Sequence, residues 1–229
     1  MLGIIGAMQV EVETLVAAMG EHEVREIAGR KYYRGTLDGH EVVVVQCGMG
    51  KVNAAMCVQA LCSEFHVDGI VNTGVAGALA PGLGVFDVVV ATDGVEHDFD
   101  LSPIGPEPGH NPDAGFAFPA DERLRTAALA AARELDEGHT VIEGRIATGD
   151  QFIATPEDKE RIVRMFDGAC CEMEGAAILH AAAMNGVPAT VVRVMSDTGD
   201  GDNLVEYDEF MIKGSHLCAG ITRRMLSQL

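Results

Sequence analysis

The sequence predicts an α/β fold, a single domain over residues 1–229 with a mixed central β-sheet flanked by helices. Three observations predict it. Short apolar runs alternate with longer segments of helical period along the whole chain, as strands and helices in turn require. Apolar residues make up 48% and aromatics only 5%, with Trp absent, so the interior is built from small side chains. No repeat, low-complexity linker or compositional break divides the 229 residues, which suffice for one large core.

Taken in order, Leu2-Gly3-Ile4-Ile5-Gly6-Ala7 reads as a buried strand, and a helix from about 9 to 19 carries Glu11 just past its end. Strands are expected near 31–37 and 41–47. Gly48-Met49-Gly50 then turns the chain into a helix from about 51 to 65. That helix is apolar on most of its circumference, so it should be buried on more than one side, within the domain or against a second subunit. Strands follow at 69–73 and 85–91. Gly94 to Ala120, with Pro103, Pro106, Pro108, Pro112 and Pro119, reads as one long loop, a length typical of lids and binding loops. Helix 121–136, strand 141–148, helix 156–166, strand 169–172 and helix 174–185 come next. A buried parallel strand, 187–195, and a helix over 206–228 complete the chain.

Composition excludes several classes. A formal charge of −19 argues against nucleic acid or an anionic membrane as partner, since binding phosphates needs clustered Lys and Arg. No apolar stretch reaches the ~20 residues that span a bilayer. The N-terminus enters a strand directly and has no basic segment before it, so no signal peptide is expected. The six Cys include no CxxC pair, which leaves zinc and thioredoxin-type chemistry unsupported and suggests reduced, cytoplasmic thiols. Cys170-Cys171 has no His nearby in sequence to activate a nucleophile. His97-Asp98-Phe99-Asp100 lacks a second His and reads as a structural loop, so no metal and no cofactor is expected.

The chemistry-bearing residues gather at strand ends, where open α/β sheets present their ligands. Ser196-Asp197 closes the apolar run that begins at Val187; Glu172-Met173-Glu174 sits at another strand-to-helix junction; Glu11 follows the first strand. Three such carboxylate positions suggest acid–base work on a small ligand, although each is also an acid that a helix first turn favours. Two Gly-rich segments are not nucleotide loops. Gly48-Met49-Gly50-Lys51-Val52 has Val45 where a P-loop opens on Gly, and Val52 where a Ser or Thr would hold magnesium. Asn72-Thr73-Gly74-Val75-Ala76-Gly77 is not GxGxxG. Both allow close backbone approach to a neutral ligand.

Six segments in order resemble one family. They are Gly3-Ile4-Ile5-Gly6-Ala7-Met8 with Glu11, Gly48-Met49-Gly50-Lys51-Val52-Asn53-Ala54-Ala55, Asn72-Thr73-Gly74-Val75-Ala76-Gly77, Gly149-Asp150-Gln151-Phe152-Ile153, Glu172-Met173-Glu174 and Arg193-Val194-Met195-Ser196-Asp197. The chain resembles the bacterial 5′-methylthioadenosine/S-adenosylhomocysteine nucleosidases, within the nucleoside phosphorylase superfamily. The resemblance implies a nucleoside phosphorylase-like fold. It also implies hydrolysis of the N-glycosidic bond of 5′-methylthioadenosine and S-adenosylhomocysteine, and of 5′-deoxyadenosine, in methionine salvage and removal of methylation by-products. By that resemblance Asp197 protonates adenine N7, Ser196 orients it, and Glu11 activates the attacking water. Glu174 would accept from ribose hydroxyls beside Met173 and Glu172; Phe152 would stack on the base, with the Ile153 backbone on its edge; Ala76 and Gly77 would line the pocket. Leu101, Ile104 and Tyr207 match the apolar slot for the 5′-thioether, which in the family a neighbouring subunit helps build, so a homodimer is implied. Arg193 is equally a substrate ligand or an ion-pair partner for the acids.

The chain departs from the family at two places, and three further readings stay open. Family members carry a run of acids where this chain has Gln9-Val10-Glu11, and many have Ser where Val75 stands. A phosphorolytic purine nucleoside phosphorylase would need arginines for phosphate, which Val71-Asn72-Thr73-Gly74 lacks. An aminodeoxyfutalosine nucleosidase and a non-catalytic nucleoside-binding module are the second and third readings.

Overall fold

The computed structural model describes residues 1–135, 138–197 and 207–229, with Tyr207 and Asp208 described by their backbone alone. The apolar runs become strands: Leu2–Gly6 (β1), His22–Ile27 (β2), Arg30–Leu37 (β3), His40–Gln46 (β4), Gly69–Ala78 (β5), Val88–Glu96 (β6), Phe118–Pro119 (β7), Val141–Thr148 (β8), Gly168–Glu172 (β9) and Ala189–Met195 (β10). The helices are Gln9–Ala18 (α1), Lys51–Glu64 (α2), Glu122–Glu134 (α3), Pro156–Phe166 (α4), Gly175–Met184 (α5) and Tyr207–Leu226 (α6). Their ends follow local chemistry. Asp121 caps α3 by accepting from Leu124 N at 2.9 Å, and Thr155 caps α4 by accepting from Asp158 N at 3.2 Å, with Pro156 at the first helical position.

The strands form one mixed sheet in the order β10-β6-β8-β9-β5-β1-β4-β3-β2, with β7 on the flank of β6. Because β10 also pairs with β5, five strands close into a ring from which β1, β4, β3 and β2 extend. β5 makes both closures. It lies parallel to β1 as far as Ile5↔Asn72, parallel to β10 from Ile70 to Ala76, and antiparallel to β9 from Gly77↔Cys171. Between Asn72 and Gly77, then, no strand among the described residues lies beside the edge facing away from β10, and the candidate site residues gather there. Helices α2 and α5 pack together on one side; α6, with α1 and α3, covers the other.

Several sequence expectations need correction. The strand 187–195 begins at Ala189 and is parallel to β5 but antiparallel to β6, so it is buried in a mixed and not a parallel setting. Asn72 to Gly77 is not a loop past a strand end; it continues β5, because β10 pairs with it as far as Ala76 and β9 takes over at Gly77. The expected loop 94–120 starts later, since β6 runs to Glu96 beside β8, and it contains β7 and a 3₁₀ turn at Ser102–Ile104. The strand β2 has no counterpart in the sequence reading. The helix α2 buries Ala54, Cys57, Val58, Ala60 and Leu61, yet leaves Val52 71% and Met56 51% exposed.

Candidate active site

Glu11, at the third position of α1, reaches back to the start of its own helix. Its Oε2 accepts from Ala7 N at 2.7 Å and Met8 N at 2.9 Å, so it is a helix-terminus acid as well as a pocket residue. Its Oε1 accepts from Val75 N at 3.1 Å, on the stretch of β5 between Asn72 and Gly77. A Cβ at Gly74 would overlap that oxygen, which is why glycine stands there. Burial pushes the Glu11 carboxyl above the ordinary range, against the pull of Arg193 and the three amides.

A second group comes from the end of β9. Glu172 accepts from the Thr148 hydroxyl, from Arg193, and from Glu174 N at 3.0 Å and Gly175 N at 2.7 Å. It lines the pocket, but its oxygens are engaged by protein, so it organises the site from behind. Glu174 is buried; its Oε1 accepts from Gly50 N at 2.8 Å, delivered by the positive-φ turn Gly48-Met49-Gly50. Burial, with the Glu172 charge adding to it, raises Glu174 to about 8 despite Arg193.

Arg193 is the buried cation beneath these acids. It pairs with Glu172, lies 3.9 Å from Glu174 Oε2, and donates to Asn72 Oδ1 at 2.6 Å, while Asn72 donates to Ile5 O. It does not line the pocket, so of the two sequence readings the structure favours the ion-pair partner over the substrate ligand. Burial disfavours its charge, yet Glu172, Glu174 and Glu11 together hold its pKa above the usual value. Replacing it with Met strands buried carboxylates, which costs about 3–5 kcal/mol and lowers Tm by about 6–20 °C. The sign with pH follows from Glu11 and Glu174, both raised in the fold: protonated acids need no cation, so the deficit shrinks as pH falls through about 8, where Glu174 takes its proton, and further as Glu11 takes one. Melting curves of Arg193→Met and wild type at pH 5 and 8 check this; equal deficits at both would refute it.

Asp197 follows β10. Its Oδ1 accepts from Ala78 N at 2.9 Å and its Oδ2 from Lys159 Nζ of α4 at 3.0 Å. The expectation that Ser196 orients it is not met. The Ser196 hydroxyl donates to Ala76 O at 3.4 Å, and Ala78 and Lys159 hold the carboxylate.

These groups share one pocket, open to solvent at its mouth. Ala76, Gly77, Ile153 and Met173 line it, and Phe152 stands at it with 63% of its surface exposed, outside the core. Leu101 and Ile104 are not brought to it; Ile104 is 78% exposed on the 3₁₀ turn. The Tyr207 side chain lies outside the described residues. Sequence reasoning missed Met8, Met49, Gln151 and Cys171 as lining residues, although each belongs to or adjoins one of the six family segments. It also missed Lys159. No Lys or Arg lines the pocket among the described residues, and none occurs in the sequence 198–206. Nor is there, among the described residues, a group of His, Cys, Asp or Glu that could hold a metal. His97 is buried, Asp98 pairs with Lys51 Nζ at 2.6 Å, and the described cysteines are all free thiols.

A family profile described as the phosphorylase superfamily matches residues 1–227. The 5′-methylthioadenosine/S-adenosylhomocysteine nucleosidase of Shewanella loihica is 37% identical over all of this chain and 99% of its own. The crystal structure of the enzyme of that name from Neisseria meningitidis, in complex with methylthio-immucillin-A, is similar at TM-score 0.93 and 33% identity, covering 100% of this chain and 99% of that one. The futalosine hydrolase of Helicobacter pylori is similar at TM-score 0.93 and 31% identity, covering 100% and 97%.

Proposed function

This chain belongs to the phosphorylase superfamily and, within it, to the 5′-methylthioadenosine/S-adenosylhomocysteine nucleosidases, and from that premise we propose that it hydrolyses the N9–C1′ bond of 5′-methylthioadenosine and S-adenosylhomocysteine. The observation that carries the reading is a pocket lined by Glu11, Glu174 and Asp197 from separate strand ends with no cation in its described lining.

Cleaving a glycosidic bond through an oxocarbenium-like transition state poses three problems. The base leaves with the bonding electrons and must gain a proton; Asp197 donates it to N7. The ribosyl cation must be stabilised; Glu174, beside the sugar with Met173, accepts from its hydroxyls and favours the positive charge. Water must be delivered to C1′; Glu11, held by three amides, takes its proton as the new C–O bond forms. The division between a donor and a water-activating carboxylate parallels inverting glycosidases in roles only. Phe152 stacks on the adenine, Ile153 meets its edge, and Ala76 and Gly77 bring backbone close. Phosphorolysis would place a phosphate dianion among carboxylates with no described lining cation to balance it.

The chain works as one nucleosidase domain, and as a homodimer in the cytoplasm, where its thiols stay reduced. Val52, Met56, Ile104 and Met184 are each exposed apolar side chains that a second copy would cover, bringing Leu101 and Ile104 of that copy to the 5′-thioether.

Adenine release from 5′-methylthioadenosine in phosphate-free buffer is the test. We expect release that added phosphate does not accelerate, with 5-methylthioribose as the other product. Phosphate-dependent release giving a ribose 1-phosphate would overturn the hydrolase reading. Running futalosine beside it weighs the similarity to futalosine hydrolase.

A further inference from the structure

We infer that Asp98 is a positioning residue: from outside the pocket it fixes the ribose wall, Glu174, against the base wall, Gln151 to Ile153. The inference rests on the nucleosidase reading, in which one substrate spans both walls. The two walls meet at the start of α2. That helix opens on Gly50, which has no side chain to cap it, so its first amides find acceptors on other elements. Gly50 N donates to Glu174 Oε1 at 2.8 Å, and Lys51 N donates to Asp150 Oδ1 at 2.8 Å. Asp150 directly precedes Gln151-Phe152-Ile153. A Cβ at position 50 would meet Asp150 Oδ1 at 2.9 Å, and the backbone there stands at φ 97°, so glycine is required on both counts.

Asp98 closes this arrangement into a ring. Its Oδ2 accepts from Asp150 N at 2.8 Å and its Oδ1 from Lys51 Nζ at 2.6 Å, so the two residues joined at Lys51 N and Asp150 Oδ1 are held a second time. A Cβ at Gly149 would lie 3.1 Å from the Asp98 carboxyl carbon and overlap His97, which shows how closely residues 149–150 sit on 97–98. The Lys51 and Asp98 side chains are only 19% and 16% exposed, enclosed enough that removing one is felt by the other. Burial opposes the Asp98 charge, yet Lys51 and the Asp150 amide keep its carboxyl below the ordinary range. Burial likewise opposes the Lys51 charge, and Asp98, with Glu96 at 3.3 Å, holds it above its usual value. Neither Lys51 nor Asp98 lines the pocket. A side chain that ties two walls together matters most for a ligand that bridges them, because only such a ligand needs the distance between them to be right.

The experiment is kcat/KM for 5′-methylthioadenosine and for its 2′,3′-dideoxy analogue, with competitive inhibition by adenine, in wild type, Asp98→Asn, Lys51→Met, Lys51→Arg and Glu174→Gln. Asparagine keeps the shape of Asp98 but turns an NH2 toward Lys51 Nζ or Asp150 N, so one tie is lost. Asp98→Asn should lower kcat/KM for 5′-methylthioadenosine about tenfold, while the dideoxy rate and adenine inhibition stay at their wild-type values. Lys51→Met should show the same selective loss, and it reads the effect even if Asp98→Asn fails to fold. Lys51→Arg, which keeps the charge and a donor, should recover most of it. A loss of equal size with all three ligands, or kcat/KM unmoved in both Asp98→Asn and Lys51→Met, would overturn the role of Asp98. A Glu174→Gln variant that loses as much on the dideoxy analogue as on the full substrate, or a wild type that releases no adenine, would overturn the reading of the site itself.

Discussion

Asp197→Asn lowers kcat for 5′-methylthioadenosine by about 10³-fold, the scale of a lost general acid. The asparagine side chain fits the same space, and its oxygen can still accept from Ala78 N, so the fold is retained. What it cannot do is hold a transferable proton. The adenine anion then leaves unprotonated, and the barrier rises by the full difference between a neutral and an anionic leaving group. Substrate binding should be affected less, because the proposed stacking on Phe152 and the pocket backbone of Ala76 and Gly77 are untouched, so the loss should fall on kcat more than on KM. The variant also leaves Lys159 beside a neutral amide, which predicts a lowered Tm. Circular dichroism with steady-state kinetics checks both; a folded variant with wild-type kcat would remove Asp197 from the mechanism.

How much of this site is legible in the sequence depends on what each residue's neighbours reveal. Glu11, Glu174 and Asp197 are readable because each lies within a few residues of the end of an apolar strand, and strand ends are where such sheets work. Phe152 is readable through its motif and ambiguous without it; 63% exposed, it is not a core residue. Lys159 is not readable, since Asp158-Lys159-Glu160-Arg161 looks like a solvated helix face and its inward turn depends on where α4 docks. The strand β2 is hidden for a related reason. His22-Glu23-Val24-Arg25-Glu26-Ile27 is an edge strand, mostly exposed, so it has no apolar alternation to detect and is held by its ladder with β3. The continuation of β5 through Gly74 and Gly77 is hidden because glycine reads as a breaker, while here the missing Cβ of Gly74 makes room for the carboxylate of Glu11. Ile104 marks a different limit, being a motif match that one copy of the chain does not bring to the pocket.

Glu11→Gln should cost about as much as the loss of Asp197, about 10³-fold in kcat, and should also change the shape of the pH profile. Glu11 accepts three amide hydrogens, two on Oε2 and one on Oε1. Glutamine has one oxygen and one NH2, so whichever way it turns, a donor faces a donor and a buried N–H is left unpaired, at about 1–3 kcal/mol. Relief of a buried carboxylate offsets part of that cost, so the decisive readout is kinetic. The working form of Glu11 is the ionised one, because only that form can take a proton from water. Burial raises its pKa, so the ionised fraction, and with it kcat, falls as pH drops through a value above the ordinary carboxylate range. The acid limb should therefore stand above about pH 4.5 in wild type and vanish in Glu11→Gln, leaving a low, flat rate. Glu174, raised to about 8, titrates in the same region, so the limb must be read in kcat at saturating substrate, where the ribose hydroxyls already engage Glu174 and favour its ionised form. An acid limb that survives unchanged in Glu11→Gln would assign it to another group, and a wild-type kcat in that variant would leave the attacking water without its base.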